Sequence, residues 1–234
     1  MSDLAQRIAS LSPEKRALLT QRLKKIRVET AQESAIPKRE DPSTFPLSFA
    51  QQRMWFLDQY EPDSPFYNIA AALRLRGPLD VAALEQSLNE IVRRHEVLRA
   101  VFVTEKGHPV QVIVPELKLP LPIVDLQDLP EAEREAEALR LATEEAQQPF
   151  DLAQGPLLRA SLLRLGEACS DTYRGEEHIF LLTVHHIVSD GWSMGVLIRE
   201  VATLYDIFSK GEPPRRAGRK QSRRAGRRQP MAMR

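Results

Sequence analysis

Residues 184–193, Val-His-His-Ile-Val-Ser-Asp-Gly-Trp-Ser, set two imidazoles side by side at the end of an apolar run, then an acid and a glycine. A free imidazole ionises near pH ~6.5, so a histidine in a cleft can accept or donate a proton at neutral pH. Adjacent side chains on a strand point to opposite faces. His185 shares its parity with Ile179, Leu181 and Thr183, and His186 with Phe180, Leu182 and Val184. One ring is therefore expected to be packed and hydrogen-bonded while the other faces a cavity. Asp190 stands where it can cap the following helix or pair with a cation. Gly191 is expected to permit a tight turn and close backbone approach, and Ser189 and Trp192 flank the pair.

Several chemistries are disfavoured by the spacing. Adjacent histidines on a strand diverge, and no His-x-x-x-His or Cys-x-x-Cys spacing accompanies them, so no metal site is expected. No Gly-x-Ser-x-Gly turn supplies a hydrolytic nucleophile. A base without a protein nucleophile suits a reaction in which the substrate brings its own. Two merely packed histidines are the structural alternative.

The elements that must hold this motif alternate between strand and helix. The run 67–77 alternates Tyr67, Ile69, Ala71, Leu73 and Leu75 with smaller or charged residues, as a half-buried strand does. Asp80 caps a helix with a stripe of Leu84, Leu88, Ile91 and Val92. Leu-Arg-Ala-Val-Phe-Val and Pro-Val-Gln-Val-Ile-Val flank a glycine-containing loop, which reads as a hairpin. A charged helix follows over 130–147, its acids forming a solvated face. Two further strands come next, the second nearly all apolar and so expected to be covered on both sides. A final amphipathic helix carries Leu197, Val201, Leu204, Tyr205 and Phe208. The expected class is α/β, an α+β sandwich with a mixed sheet flanked by helices.

The 234 residues suffice for one sizeable domain with a real core. The single cysteine, Cys169, excludes an internal disulfide framework and suits a reducing cytoplasm. No apolar stretch approaches the ~20 residues a spanning helix needs, and no secretory leader is seen, so a cytoplasmic protein without a membrane partner is expected. Residues 1–26 read as a helical segment, either packed on the main domain or docking an upstream partner. The polar, proline-bearing stretch after it makes 27–44 a linker. Residues 45–210 form the domain, and 211–234 a basic tail too polar to fold alone. That tail holds nine Lys or Arg and one acid, leaving the rest of the chain at −7. With no aromatic among its arginines it lacks a stacking platform, and nucleic-acid binding is disfavoured.

The histidine motif does not stand alone. His-His-Ile-Val-Ser-Asp-Gly resembles the His-His-x-x-x-Asp-Gly signature of nonribosomal peptide synthetase condensation domains, in the chloramphenicol acetyltransferase-like superfamily. Residues 47–57, 93–102 and 149–160 resemble three further motifs of that family and occur in the same order. The resemblance implies a chloramphenicol acetyltransferase-like lobe that joins a carrier-bound acyl or peptidyl thioester to a carrier-bound aminoacyl group. It implies His186 as the catalytic residue, with His185 supporting the site. Asp190 would sit in a structural salt bridge and Gly191 would line the route to the site. Ser189 and Trp192 join the supporting set, and Arg53, Arg94, His95 and Arg99 would hold the fold.

By the same resemblance the chain binds no cofactor of its own. Its substrates arrive on the phosphopantetheine arms of carrier proteins and other synthetase modules. The resemblance covers roughly 45–210 and the first of two lobes; motifs of the second lobe do not occur in the sequence. Weak or no condensation by the isolated chain is therefore expected, and an uncovered apolar surface would favour self-association. The basic tail reads either as an out-of-frame continuation or as a genuine extension. The other functional classes are a non-catalytic carrier-docking module, a gene remnant, and a coenzyme A-dependent acyltransferase.

Overall fold

The computed structural model describes residues 43–169 and 174–213. The segment expected to be helical over 1–26, nearly all of the linker and the tail from 214 onward lie outside the described residues. Thr44, assigned to the end of the linker, already belongs to the first strand, β1 (Thr44–Pro46). Helix α1 (Phe49–Tyr60) follows, then β2 (Asn68–Arg76) and α2 (Val81–Arg94). The hairpin β3 (Ala100–Glu105) and β4 (His108–Ile113) leads to β5 (Ile123–Asp125) and α3 (Glu131–Gln147). Two long strands, β6 (Leu158–Cys169) and β7 (Arg174–His185), precede the final helix α4 (Gly191–Phe208).

The larger sheet has the order β2-β7-β6-β5. Its β2/β7 and β7/β6 pairs are antiparallel and β6/β5 is parallel, so the sheet is mixed, as expected. A smaller sheet has the order β1-β4-β3. Strand β7 lies inside the larger sheet and is buried on both faces. Phe180, Leu182 and Val184 pack into the main core with Leu88 and Ile91 of α2 and Leu197 and Leu204 of α4. Leu181 and Ile179 face the other way, toward Leu163, Leu165 and Ala138 of α3. This is why the later part of β7, from Ile179 to Val184, reads as nearly all apolar: a strand with two covered faces has no polar side to alternate with.

Local chemistry sets the boundaries. Asp80 Oδ1 accepts from the Ala83 amide at 3.0 Å and starts α2. The β3/β4 turn is two residues, Lys106 and Gly107, both at positive φ (50° and 82°), the conformation that matches hairpin twist. Arg99 ties the layers together. Its Nε donates to the Val92 carbonyl at 3.1 Å, and its Nη1 to those of Val114 and Pro115 at 2.6 and 2.8 Å. Helix α3 is fastened to the sheet by Arg74, which reaches Glu135 at 2.8 Å and Glu177 at 2.9 Å.

Three elements escape a reading of the sequence. Strands β1 and β5 have three residues each, too few to show a period. Helix α1 has no buried residue, and Phe49, Phe56 and Tyr60 on it are all exposed. Without an inward stripe it carries no amphipathic signature.

Phe102, 1% exposed in the main core, should cost about 3–5 kcal/mol when replaced by Ala, whereas Leu139→Ala, at a side chain 70% exposed, should change stability by less than about 0.5 kcal/mol. Urea unfolding of the two variants checks this, and similar losses would contradict the burial described.

Candidate active site

The central strand ends between the two histidines. The His185 amide still donates to the Leu157 carbonyl of the neighbouring segment at 3.0 Å, and the His186 amide donates to the Tyr67 carbonyl at 2.8 Å. The chain then turns: the Val188 amide donates to the His185 carbonyl at 3.1 Å, and the Ile187 amide to His185 Nδ1 at 3.1 Å. An imidazole nitrogen that accepts from an N–H carries no proton, so in neutral His185 the proton is on Nε2.

His185 is 3% exposed. Its ring lies 6.2 Å from that of Tyr67 and 6.0 Å, edge-on, from that of Phe150. Burial first, and repulsion from His186 second, push its pKa down to about 4, which keeps it uncharged through the neutral range. His186, one residue later, is exposed. The pair is thus divided between wall and surface: His185 is the last residue of the strand and His186 lies in the turn beyond it.

Asp190 is the N-cap of α4. Its Oδ1 accepts from the Ser193 amide at 2.7 Å, and its carbonyl accepts from Met194 at 3.0 Å. Ser193, through side chain and backbone, and to a smaller degree His186 hold its acidity below the ordinary aspartate value. Among the described residues Asp190 forms no ion pair, and its Oδ1 is engaged as a helix cap. Gly191 is also corrected. It opens α4 without a positive φ, and a Cβ built there would meet nothing within 4 Å. No tight turn requires a glycine at this point; what its lack of a side chain preserves is open space before the helix.

Ser189 and Trp192 line a shallow notch beside the start of α4, with Trp192 78% exposed. His95, at the C-terminal end of α2, shares that notch and places its Nε2 2.6 Å from Glu200 Oε2, bridging α2 to α4. Arg94 pairs with Glu90 at 2.7 Å, and Arg93 and Arg94 together hold the Glu90 carboxyl at about 2. His95 and Arg99 therefore fasten elements to one another, whereas the Arg94–Glu90 pair lies within α2. Arg53 differs: it lies exposed on α1 with no bonded partner among the described residues.

Residues not singled out in the sequence complete the surroundings. Gln51 closes a capping box with Ser48, and its amide reaches Gln111 Oε1 at 3.0 Å and the Ile187 carbonyl at 3.4 Å. The Ser-x-x-Gln spacing at 48–51 is the signal that could have found it. Tyr67 and Phe150 carry no such signal, since only the pairing of distant segments brings them to His185. Among the described residues no group of three His, Cys, Asp or Glu converges on a point that could hold a metal ion.

In ¹⁵N imidazole NMR, His185 should keep its Nε2–H tautomer until the pH falls to about 4. The sign follows from the depressed value. Unfolded His185 takes up its proton near pH ~6.5, so its contribution to stability is intact above that pH and is lost progressively toward pH 4. A His185 midpoint near 6.5 in the folded chain would contradict the burial.

A profile of the Condensation domain family matches residues 42–222, past the start of the basic run. A linear gramicidin synthase of Brevibacillus parabrevis is 52% identical over 172 residues, covering 74% of this chain and 2% of that protein. Phosphinothricin tripeptide synthetase PhsC of Streptomyces viridochromogenes is 47% identical over 212 residues, covering 90% of this chain and 19% of that protein. The crystal structure of the starter condensation domain of rhizomide synthetase RzmA superposes with a TM-score of 0.65 at 30% identity, covering 74% of this chain and 41% of that one. A variant of that domain has been solved in complex with C8-CoA. The chain thus spans a small part of the synthetases it matches and under half of the solved domain. On a profile match over most of its length, and with the divided histidine pair in place, the chain belongs to the condensation-domain family.

Proposed function

We propose that this chain is the histidine-bearing lobe of a nonribosomal peptide synthetase condensation domain. It serves amide formation between a carrier-bound acyl or peptidyl thioester and a carrier-bound aminoacyl group. The phosphopantetheine arms belong to the substrates. The acceptor's amine attacks the donor thioester carbonyl, the C–N bond forms, the C–S bond breaks, and the thiol leaves on the donor's carrier. The proton lost by the amine ends on that thiol.

A neutral amine is already a competent nucleophile toward a thioester, so the main demand on the protein is orientation, which can supply ~7–11 kcal/mol of a barrier. The observation that carries this reading is the division of the pair. His186 stands exposed in the turn between β7 and α4, where a substrate can meet it. His185 stays neutral behind it and adds no charge to repel a proton arriving on its neighbour. A base so placed contributes roughly 10²–10⁴-fold. The open space before Gly191 leaves room for a substrate arm beside His186.

A coenzyme A-bound donor is the second reading, favoured by the C8-CoA complex of the rhizomide synthetase variant. One assay separates the two. With an aminoacyl carrier as acceptor, the acyl donor is offered on a carrier or on coenzyme A, and amide product is followed by intact mass. Carrier-bound donor should be used in preference. In a two-lobed condensation domain that carries this lobe, His186→Ala should lower the rate by roughly 10²–10⁴-fold with an unchanged circular dichroism spectrum. An unimpaired His186→Ala variant would overturn the assigned role, and preference for coenzyme A would favour the second reading.

A further inference from the structure

Helix α1 turns outward a face made of Phe49, Gln52, Arg53, Phe56, Gln59 and Tyr60, all of them exposed. At 3.6 residues per turn, Phe49, Arg53, Phe56 and Tyr60 fall within an arc of about 60°. The three rings are 90%, 60% and 79% exposed. Phe56 and Tyr60 lie 6.4 Å apart at an interplanar angle of 20°, so half of the stripe is already a stacked pair. Arg53 sits between Phe49 and Phe56 with no bonded partner among the described residues. A single exposed ring is ordinary on a protein surface. Three rings aligned with an arginine have the composition of an interface core.

The spacing indicates what fits this face. Positions 49 and 60 have the same midpoint along the helix as positions 53 and 56. A second α1 laid antiparallel about that midpoint sets Phe49 against Tyr60 of the second copy and Arg53 against its Phe56, and the twofold repeats both contacts. Ring then meets ring in one pair, and a guanidinium meets the negative face of a ring in the other. A parallel mate would set Arg53 against Arg53. It would also bring together the acids at the C-terminal end of α1, Asp58, Glu61 and Asp63, where Asp58 already feels repulsion from Asp63 and Asp151. The antiparallel arrangement places that acidic end beside the positive N-terminal end of the other helix. Such a contact uses one patch twice and closes on itself.

We propose that two copies of this chain pair through antiparallel α1 helices, with Phe49, Arg53, Phe56 and Tyr60 at the contact. Rings of this kind bury about 150–250 Å² each, so six from two copies amount to on the order of 1,000 Å², below the ~1,200–2,000 Å² of stable complexes. The pairing is therefore reversible and concentration-dependent. It does not rest on the condensation reading, and it can fail or stand without any change in the chemistry assigned to His186.

Sedimentation equilibrium of the 234-residue chain, from micromolar to millimolar concentration, tests the pairing. A monomer–dimer equilibrium is expected. Because a substitution acts twice in a twofold contact, Phe56→Gln and Arg53→Gln should each weaken it at least about tenfold, with unchanged circular dichroism spectra. The register is read by mixing Phe49→Cys and Tyr60→Cys copies under mild oxidation and mapping the linked peptides by mass spectrometry. Linkage of 49 to 60 should prevail over 49 to 49. A chain monomeric throughout the range would overturn the proposal, and slowed amide exchange along α1 would then show that another segment of the same chain covers the face. A dimer indifferent to both substitutions, or one that links 49 to 49, would overturn it equally.

Discussion

The hydrogen bond from the Ile187 amide to His185 Nδ1 holds together most of what is distinctive here. It ends β7, fixes which nitrogen of His185 carries the proton, and turns the chain so that His186 emerges beyond the strand. The bond is possible because the residue before it is still gripped: Leu157 and Tyr67 take the His185 and His186 amides from either side. Those partners exist only because β7 is flanked by β2 and β6. The site is therefore a property of the sheet.

The helical layer controls the other side of the turn. Asp190 spends its carboxylate on the first turn of α4, which sets where the helix begins relative to His186. His95 and Glu200 then hold α4 to α2, while Arg99 holds α2 to the hairpin through three carbonyls. A guanidinium with several fixed donors suits that task better than an ammonium would. Motif residues far apart in sequence thus converge on one outcome, the position of the α4 N-terminus, with Arg53 the member that takes no part in it among the described residues.

What was legible in the sequence followed from period and caps. The stripe on α2, the doubly apolar β7, the hairpin and the Asp80 cap are local patterns, and each appears where expected. Alternation pointed to two different environments for the histidine pair, but it is the turn after His185, set by the His185 Nδ1 bond, that brings His186 out. Illegible features depended on distant partners or on the absence of a pattern. Helix α1 buries nothing, so it shows no stripe; β1 and β5 are recognisable only through β4 and β6. The role of Gly191 was misjudged because glycine is commonly placed by backbone conformation, whereas here its φ is ordinary and the space ahead of it is empty. Asp190 was read as cap or ion-pair partner, and the geometry shows its Oδ1 acting as the cap.

The central claim is that adjacent, chemically identical rings occupy opposite environments: one sealed and neutral, one presented. Reaction with diethyl pyrocarbonate, followed residue by residue by mass spectrometry, measures that difference directly. His186 should be modified rapidly in the folded chain, while His185 reacts only as the chain unfolds. Comparable rates at the two positions under native conditions would contradict the account.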